Sequence, residues 1–102
     1  MKKKKVVVLP EAEDDISDIK HDIKSISKSS HIARKNIDDL KTELKNLSIY
    51  GSSLAFCIEK KITDRYGIHI RRANTANKKI AILYYVEPDY IIVKRVVWAS
   101  SI

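Results

Sequence analysis

Val6-Val7-Val8-Leu9-Pro10-Glu11-Ala12-Glu13-Asp14-Asp15-Ile16 holds the end of one element and the start of the next. The β-branched run between Lys5 and Pro10 reads as a short strand. Pro10 then suits a first helical turn, where its missing N–H costs nothing. The acids at 11, 13, 14 and 15 complement the positive end of a helix dipole. Ala12, Ile16, Ile19, Ile23 and Ile26 recur at spacings of 4, 3, 4 and 3, which predicts an amphipathic helix over about 10–28. Ser29-Ser30 breaks that helix and can cap another. Ala33, Ile37, Leu40, Leu44 and Leu47 repeat the same spacing, so two helices follow in tandem. They should form an antiparallel αα-hairpin. Neither apolar stripe buries the other completely, so a sheet is expected beneath them.

Residues 48–53 read as a loop containing Gly51. Leu54-Ala55-Phe56-Cys57-Ile58 reads as a strand or, with Ile62, as one more helical turn. From Gly67 the pattern becomes β: Ile68 to Arg72 alternates, 74–77 is a turn or a longer loop, and Lys79–Glu87 is a strand rich in Ile and Tyr. Pro88-Asp89 marks a turn, because Pro fixes φ and Asp bonds to nearby backbone. Tyr90–Trp98 is the last strand. The expected architecture is α+β: an N-terminal strand, an αα-hairpin, then a three-strand antiparallel meander, all in one sheet packed against the two helices. Residues 1–102 are read as one domain, since domains commonly run to about 100–200 residues.

Composition narrows the function. The chain has 102 residues, 44% of them hydrophobic, and a net charge of +7. Residues 2–5 contribute +4, residues 10–48 contribute −2, and residues 49–102 contribute +5. A basic C-terminal half suits nucleic acid, the ribosome or an acidic protein. One cysteine excludes a disulfide framework and a Cys-rich zinc site. Neither GxGxxG nor GxxxxGK[ST] occurs, which tells against nucleotide chemistry. No apolar run approaches the roughly 18 residues that span a bilayer. The apolar segment after Lys5 is too short for a secretory signal, so a cytoplasmic protein without a membrane partner is expected. No cofactor and no metal are expected; Asp18, His21 and Asp22 make only a weak metal constellation.

Val7-Val8-Leu9-Pro10-Glu11-Ala12-Glu13-Asp14-Asp15-Ile16 resembles the opening of RelE/ParE toxins, where a strand leads into a Pro-Glu-Ala-Glu-x-Asp-Leu helix start. Ala33-Arg34-Lys35-Asn36-Ile37-Asp38-Asp39-Leu40 is similar to their second helix. Ile82–Glu87 followed by Ile91–Val97 is similar to their paired terminal strands. The resemblance implies the toxin of a type II toxin–antitoxin pair, silenced by a cognate protein antitoxin. RelE-like members cut mRNA on the ribosome, and ParE-like members inhibit DNA gyrase without nuclease chemistry. The basic sheet half inclines the reading to ribosome-dependent mRNA cleavage. The alternatives are gyrase inhibition and a degenerate member that binds RNA or antitoxin only.

Metal-free RNA cleavage needs a base for the 2′-hydroxyl, an acid for the leaving oxygen and cations for the phosphorane charge. The family often carries Arg where this chain has Ala81, and a basic residue near Trp98, Ser100 or Ser101. Local substitutes are available. Strand alternation would place His69 and Arg71 on one face and Arg72 on the other. Arg95, read as lying on one face with Val93 and Val97, needs a partner or water for its charge. His69, Arg71 and Arg95 are thus the candidate catalytic residues. Arg72, Lys78, Lys79 and Lys94 are the candidate nucleic-acid-binding residues.

Overall fold

The computed structural model describes residues 3–26 and 30–101, with side chains omitted at 24–26 and 30–33. Strand β1 (Lys5–Val8) leads into α1 (Pro10–Ile26), and α2 (Ser30–Tyr50) returns along it. A single 3₁₀ turn, Gly51–Ser53, precedes α3 (Lys60–Tyr66). Strands β2 (Arg71–Asn74), β3 (Ile80–Val86) and β4 (Tyr90–Trp98) follow, and a second 3₁₀ turn, Ala99–Ser101, closes the described residues. The sheet order is β1-β4-β3-β2, with β1 parallel to β4 and the other pairs antiparallel. This is the expected α+β architecture. Ser29 and the joint at 27–29 lie outside the described residues, as do the side chains of Ile26, His31 and Ala33.

One sheet face is buried beneath the helices. Ala12, Ile19 and Ile23 of α1 and Leu40 and Leu47 of α2 pack on Ala73, Ile80, Ile82, Tyr84, Ile91, Val93 and Val96. A second, smaller cluster of Ile62, Ile70 and Leu83 lies on the outer face, with Cys57, Tyr66 and Tyr85 against it. So α3 covers part of the face that α1 and α2 leave open. Cys57 is a half-buried packing residue of this cluster.

Three boundaries differ from the sequence reading. Helix α2 continues to Tyr50 through the segment read as loop. It stops where Gly51 meets the core: a Cβ there would lie 3.1 Å from Ile91 Cδ1 and 3.5 Å from Tyr84 Cε2. Residues 54–58 contribute one isolated bridge, Phe56 to Arg71, and Ile62 belongs to α3. Finally, β2 begins at Arg71, so Ile68 and His69 precede it and Asn74 lies within it. Gly67 ends α3 at φ 94, and Ile70 N donates to Gly67 O at 3.4 Å, which holds 67–70 in a turn.

The β3–β4 register shifts between Leu83 and Tyr84: Leu83 faces Arg95 and Tyr84 faces Val93, so Lys94 is the extra residue. This β-bulge interrupts the two-residue period. Val93 therefore joins the helix-side core, while Arg95 and Val97 line the outer face. The expectation that Val93, Arg95 and Val97 share one face is corrected by that single residue.

Candidate functional site

The bulge aims two cations, and α1 receives both. Strand β1 ends at Val8, opposite Val93, so beyond Val93 no strand among the described residues lies beside that edge of β4. Asp15 covers this edge. Its Oδ2 accepts from Arg95 Nε at 2.6 Å and from Val96 N at 3.0 Å, and its Oδ1 accepts from Arg95 Nη2 at 2.9 Å. Glu11, one turn earlier, pairs with Lys94 at 3.3 Å. The hydrogen bonds that Arg95 donates to Asp15 push its guanidinium further into its charged form, against the opposing effect of burial. The acids at the start of α1 thus serve β4 as well as the helix dipole.

Arg95 also lines a cleft of about 280 Å³ on the outer sheet face. Its walls include Lys61, Arg65 and Tyr66 from α3, Leu83 and Val97 from the sheet, and Ser101 from the closing 3₁₀ turn. Three cations and a phenol ring therefore surround one hollow. Arg65 lies 5.8 Å from the Tyr66 ring centroid. Tyr85 donates its hydroxyl to Tyr66 O at 2.6 Å, which ties α3 to β3. Burial pushes the Tyr85 phenol up, with Lys94 acting in the opposite sense. Cations around a concave apolar floor are suited to holding a phosphate and the group attached to it.

The other sequence candidates lie elsewhere. Arg71 is on the helix-side face, opposite Tyr84. Its Nη1 donates to Ser52 O at 3.0 Å and to Leu54 O, and its guanidinium lies 4.5 Å from the Phe56 ring centroid. Its Nε is buried and has no hydrogen-bond partner among the described residues. His69 is exposed and meets the same Phe56 ring edge-on at 5.4 Å. His69 and Arg71 therefore meet at Phe56, and Arg95 does not join them, because β3 lies between β2 and β4.

Arg72 faces outward, opposite Leu83, and pairs with Glu59 while its Nε donates to Asn74 Oδ1 at 3.0 Å. Lys78 adopts a left-handed conformation at φ 61, and its N donates to Thr75 O at 2.8 Å. Lys78 and Lys79 are both exposed. Thr75 and Asn77 build this turn, and Asn77 Nδ2 reaches Asn36 Oδ1 on α2 at 2.6 Å. Ala81 is fully buried on β3 opposite Val97. Two positions where the resemblance implies cations, Ala81 and Ser101, thus lie beside or in the outer cleft. Trp98 is partly buried against the helix-side core, and its Nε1 is 3.5 Å from Asp22 Oδ2.

Lys61, Arg65 and Tyr66 were not singled out from the sequence. Their spacing places Lys61 and Arg65 one turn apart on a short helix, but only the fold turns that helix toward Arg95. Among the described residues no group of three or more His, Cys, Asp or Glu side chains is placed to hold a metal ion. No described helix is long and apolar enough to cross a membrane.

No protein-family model matches this sequence. No curated protein is significantly similar to it. Among solved structures, a chain of the chromosomal ParDE TA system from P. aeruginosa has the same fold. The TM-score is 0.75 at 13% identity, over 96% of this chain and 98% of that one.

Proposed function

We propose that this chain is the toxin of a type II toxin–antitoxin pair, silenced by a cognate protein antitoxin, and that it cuts mRNA on the ribosome from its outer cleft. The observation that supports this reading is the convergence of Lys61, Arg65, Arg95 and Tyr66 on one hollow. Its fold is shared with a chain of a ParDE TA system, which supports the toxin assignment. In metal-free cleavage the 2′-oxygen attacks the adjacent phosphorus, leaving a 2′,3′-cyclic phosphate and a free 5′-hydroxyl. Arg95, gripped by Asp15 through Nε and Nη2, retains Nη1 for a phosphate oxygen. Lys61 and Arg65 offset the charge that grows on the phosphorane. Tyr66 is the side chain of the cleft suited to giving a proton to the leaving 5′-oxygen, while the 2′-hydroxyl proton passes to water. His69 and Arg71 act in this reading by shaping the segment around Phe56.

The second reading is inhibition of DNA gyrase by binding alone. It is favoured by Ala81 and Ser101 standing where the resemblance implies cations, and by the engagement of Lys94 and Arg95 with α1. Induced expression in a bacterial host separates the two. Growth arrest that a co-expressed antitoxin from the adjacent gene relieves is expected under both. A fall in amino-acid incorporation before any change in DNA supercoiling supports cleavage. The reverse order supports gyrase. No arrest would overturn the toxin assignment.

A further inference from the structure

The outer sheet face carries a second basic surface, at the opposite end of β4 from the cleft. Lys5 is in register with Tyr90, and their in-register neighbours Val6 and Ile91 pack in the helix-side core. Strand alternation therefore puts Lys5 and Tyr90 on the outer face, and Lys3 lines the same hollow as both. Lys3 and Lys5 are exposed, and Tyr90 is 45% exposed. The lysines are held on a fixed backbone. Lys4 N donates to Ser48 O at 3.0 Å, Lys5 N to Asp89 O at 3.1 Å, and Lys4 Nζ to Glu87 O at 2.7 Å. Together Lys3, Lys4, Lys5, Pro88, Asp89 and Tyr90 line a hollow of about 270 Å³. The Asp89 carboxylate offsets one of the three charges and leaves the lining net positive.

We propose that Lys3, Lys5 and Tyr90 form a second nucleic-acid contact, in which the two lysines hold the backbone of a single-stranded polynucleotide and the tyrosine ring stacks on one of its bases. An exposed ring beside the cations provides a stacking platform, and only an unpaired strand has a base free to use it. From Tyr90 to Arg95 the strand covers roughly 16 Å, so one short strand can lie across the sheet and touch both surfaces. That continuity rests on the outer cleft being the working site; binding at Lys3, Lys5 and Tyr90 does not.

The test is fluorescence anisotropy of the full chain with labelled ten-nucleotide single-stranded RNA, the same sequence as single-stranded DNA, and an RNA duplex, across a salt series. Lys3→Gln/Lys5→Gln should flatten the slope of log K against log salt by about 1.4, at about 0.7 per phosphate lost. Tyr90→Leu should weaken single-strand binding about fivefold or more and leave the slope unchanged. Circular dichroism checks that each variant folds. A preference for RNA or for DNA supports the same surface and names the source. An unchanged slope in Lys3→Gln/Lys5→Gln overturns the proposal, as do tighter duplex binding, equal displacement by polyglutamate, or no binding at low salt. Lys61→Gln/Arg65→Gln in parallel separates the two sites: a slope loss in Lys3→Gln/Lys5→Gln in a chain that proves non-toxic upholds this surface and rejects only the toxin reading.

Discussion

Replacing Asp15 with Ala should destabilise the protein more than any other change to its acidic side chains on α1. The carboxylate accepts three hydrogen bonds, two from Arg95 and one from Val96 N. Removing it strands a guanidinium whose side chain is 28% exposed and leaves an edge N–H without its acceptor. Breaking a fully buried pair costs about 3–5 kcal/mol. Water reaches part of this pair, so we set the loss at about 2–4 kcal/mol. For a domain of this size that lowers Tm by roughly 10–25 °C. Asp15→Asn keeps one oxygen acceptor and should fall between the wild type and Asp15→Ala. Glu11→Ala is the control: its ion pair with Lys94 is 3.3 Å long and its side chain 60% exposed, so the change should stay within about 0.5 kcal/mol. Urea unfolding followed by far-ultraviolet circular dichroism measures all three. If Asp15→Ala costs no more than Glu11→Ala, the edge of β4 is not held in this way.

Further outcomes follow from the core and the cleft. Tyr84 is fully buried and donates to Gly51 O at 2.8 Å, so Tyr84→Phe should cost about 1–2 kcal/mol in urea unfolding. Burial pushes the Tyr84 phenol up to about 12, with Arg71 lowering it and Glu43 raising it. Its contribution to stability is present below the unfolded value near 10 and is lost as pH rises to about 12, because the unfolded chain releases that proton first. Unfolding midpoints across this window should fall in the wild type more steeply than in Tyr84→Phe. Gly51→Ala brings a Cβ to 3.1 Å from Ile91 Cδ1, which must give by a few tenths of an ångström, and should cost about 1 kcal/mol, read as a lower urea midpoint. Lys61→Ala/Arg65→Ala should abolish growth arrest with a change in stability of no more than about 1 kcal/mol, since both side chains are exposed.

Much of this fold is legible in the sequence because its elements obey single periods. Both helical stripes repeat at 4, 3, 4 and 3, and the observed core uses Ala12, Ile19, Ile23, Leu40 and Leu47 from them. The last strand is legible as far as Val93. There one inserted residue, Lys94, turns Arg95 to the outer face, and no two-residue pattern contains that shift. The unusual Lys94-Arg95 pair within an apolar strand was its visible trace. Helix α3 has seven residues and one fully buried side chain, Ile62, which is too little for a stripe. Ile68-His69-Ile70 alternates like a strand, yet Ile68 is 71% exposed because the turn at Gly67 uses these residues to reach β2. The candidate site was half legible for the same reasons. Arg95 was in view, but its neighbours Lys61, Arg65 and Tyr66 belong to the helix that carries the weakest pattern.

The proposed toxin activity is cleavage of mRNA on the ribosome from the outer cleft. Purified protein added to a reconstituted translation mix, with mRNA ends mapped by primer extension, tests it most directly. New ends should require ribosomes, be absent from free mRNA, and disappear in Lys61→Ala/Arg65→Ala but persist in His69→Ala. No new ends with the folded wild-type protein, or ends that survive the cleft substitutions, would contradict it.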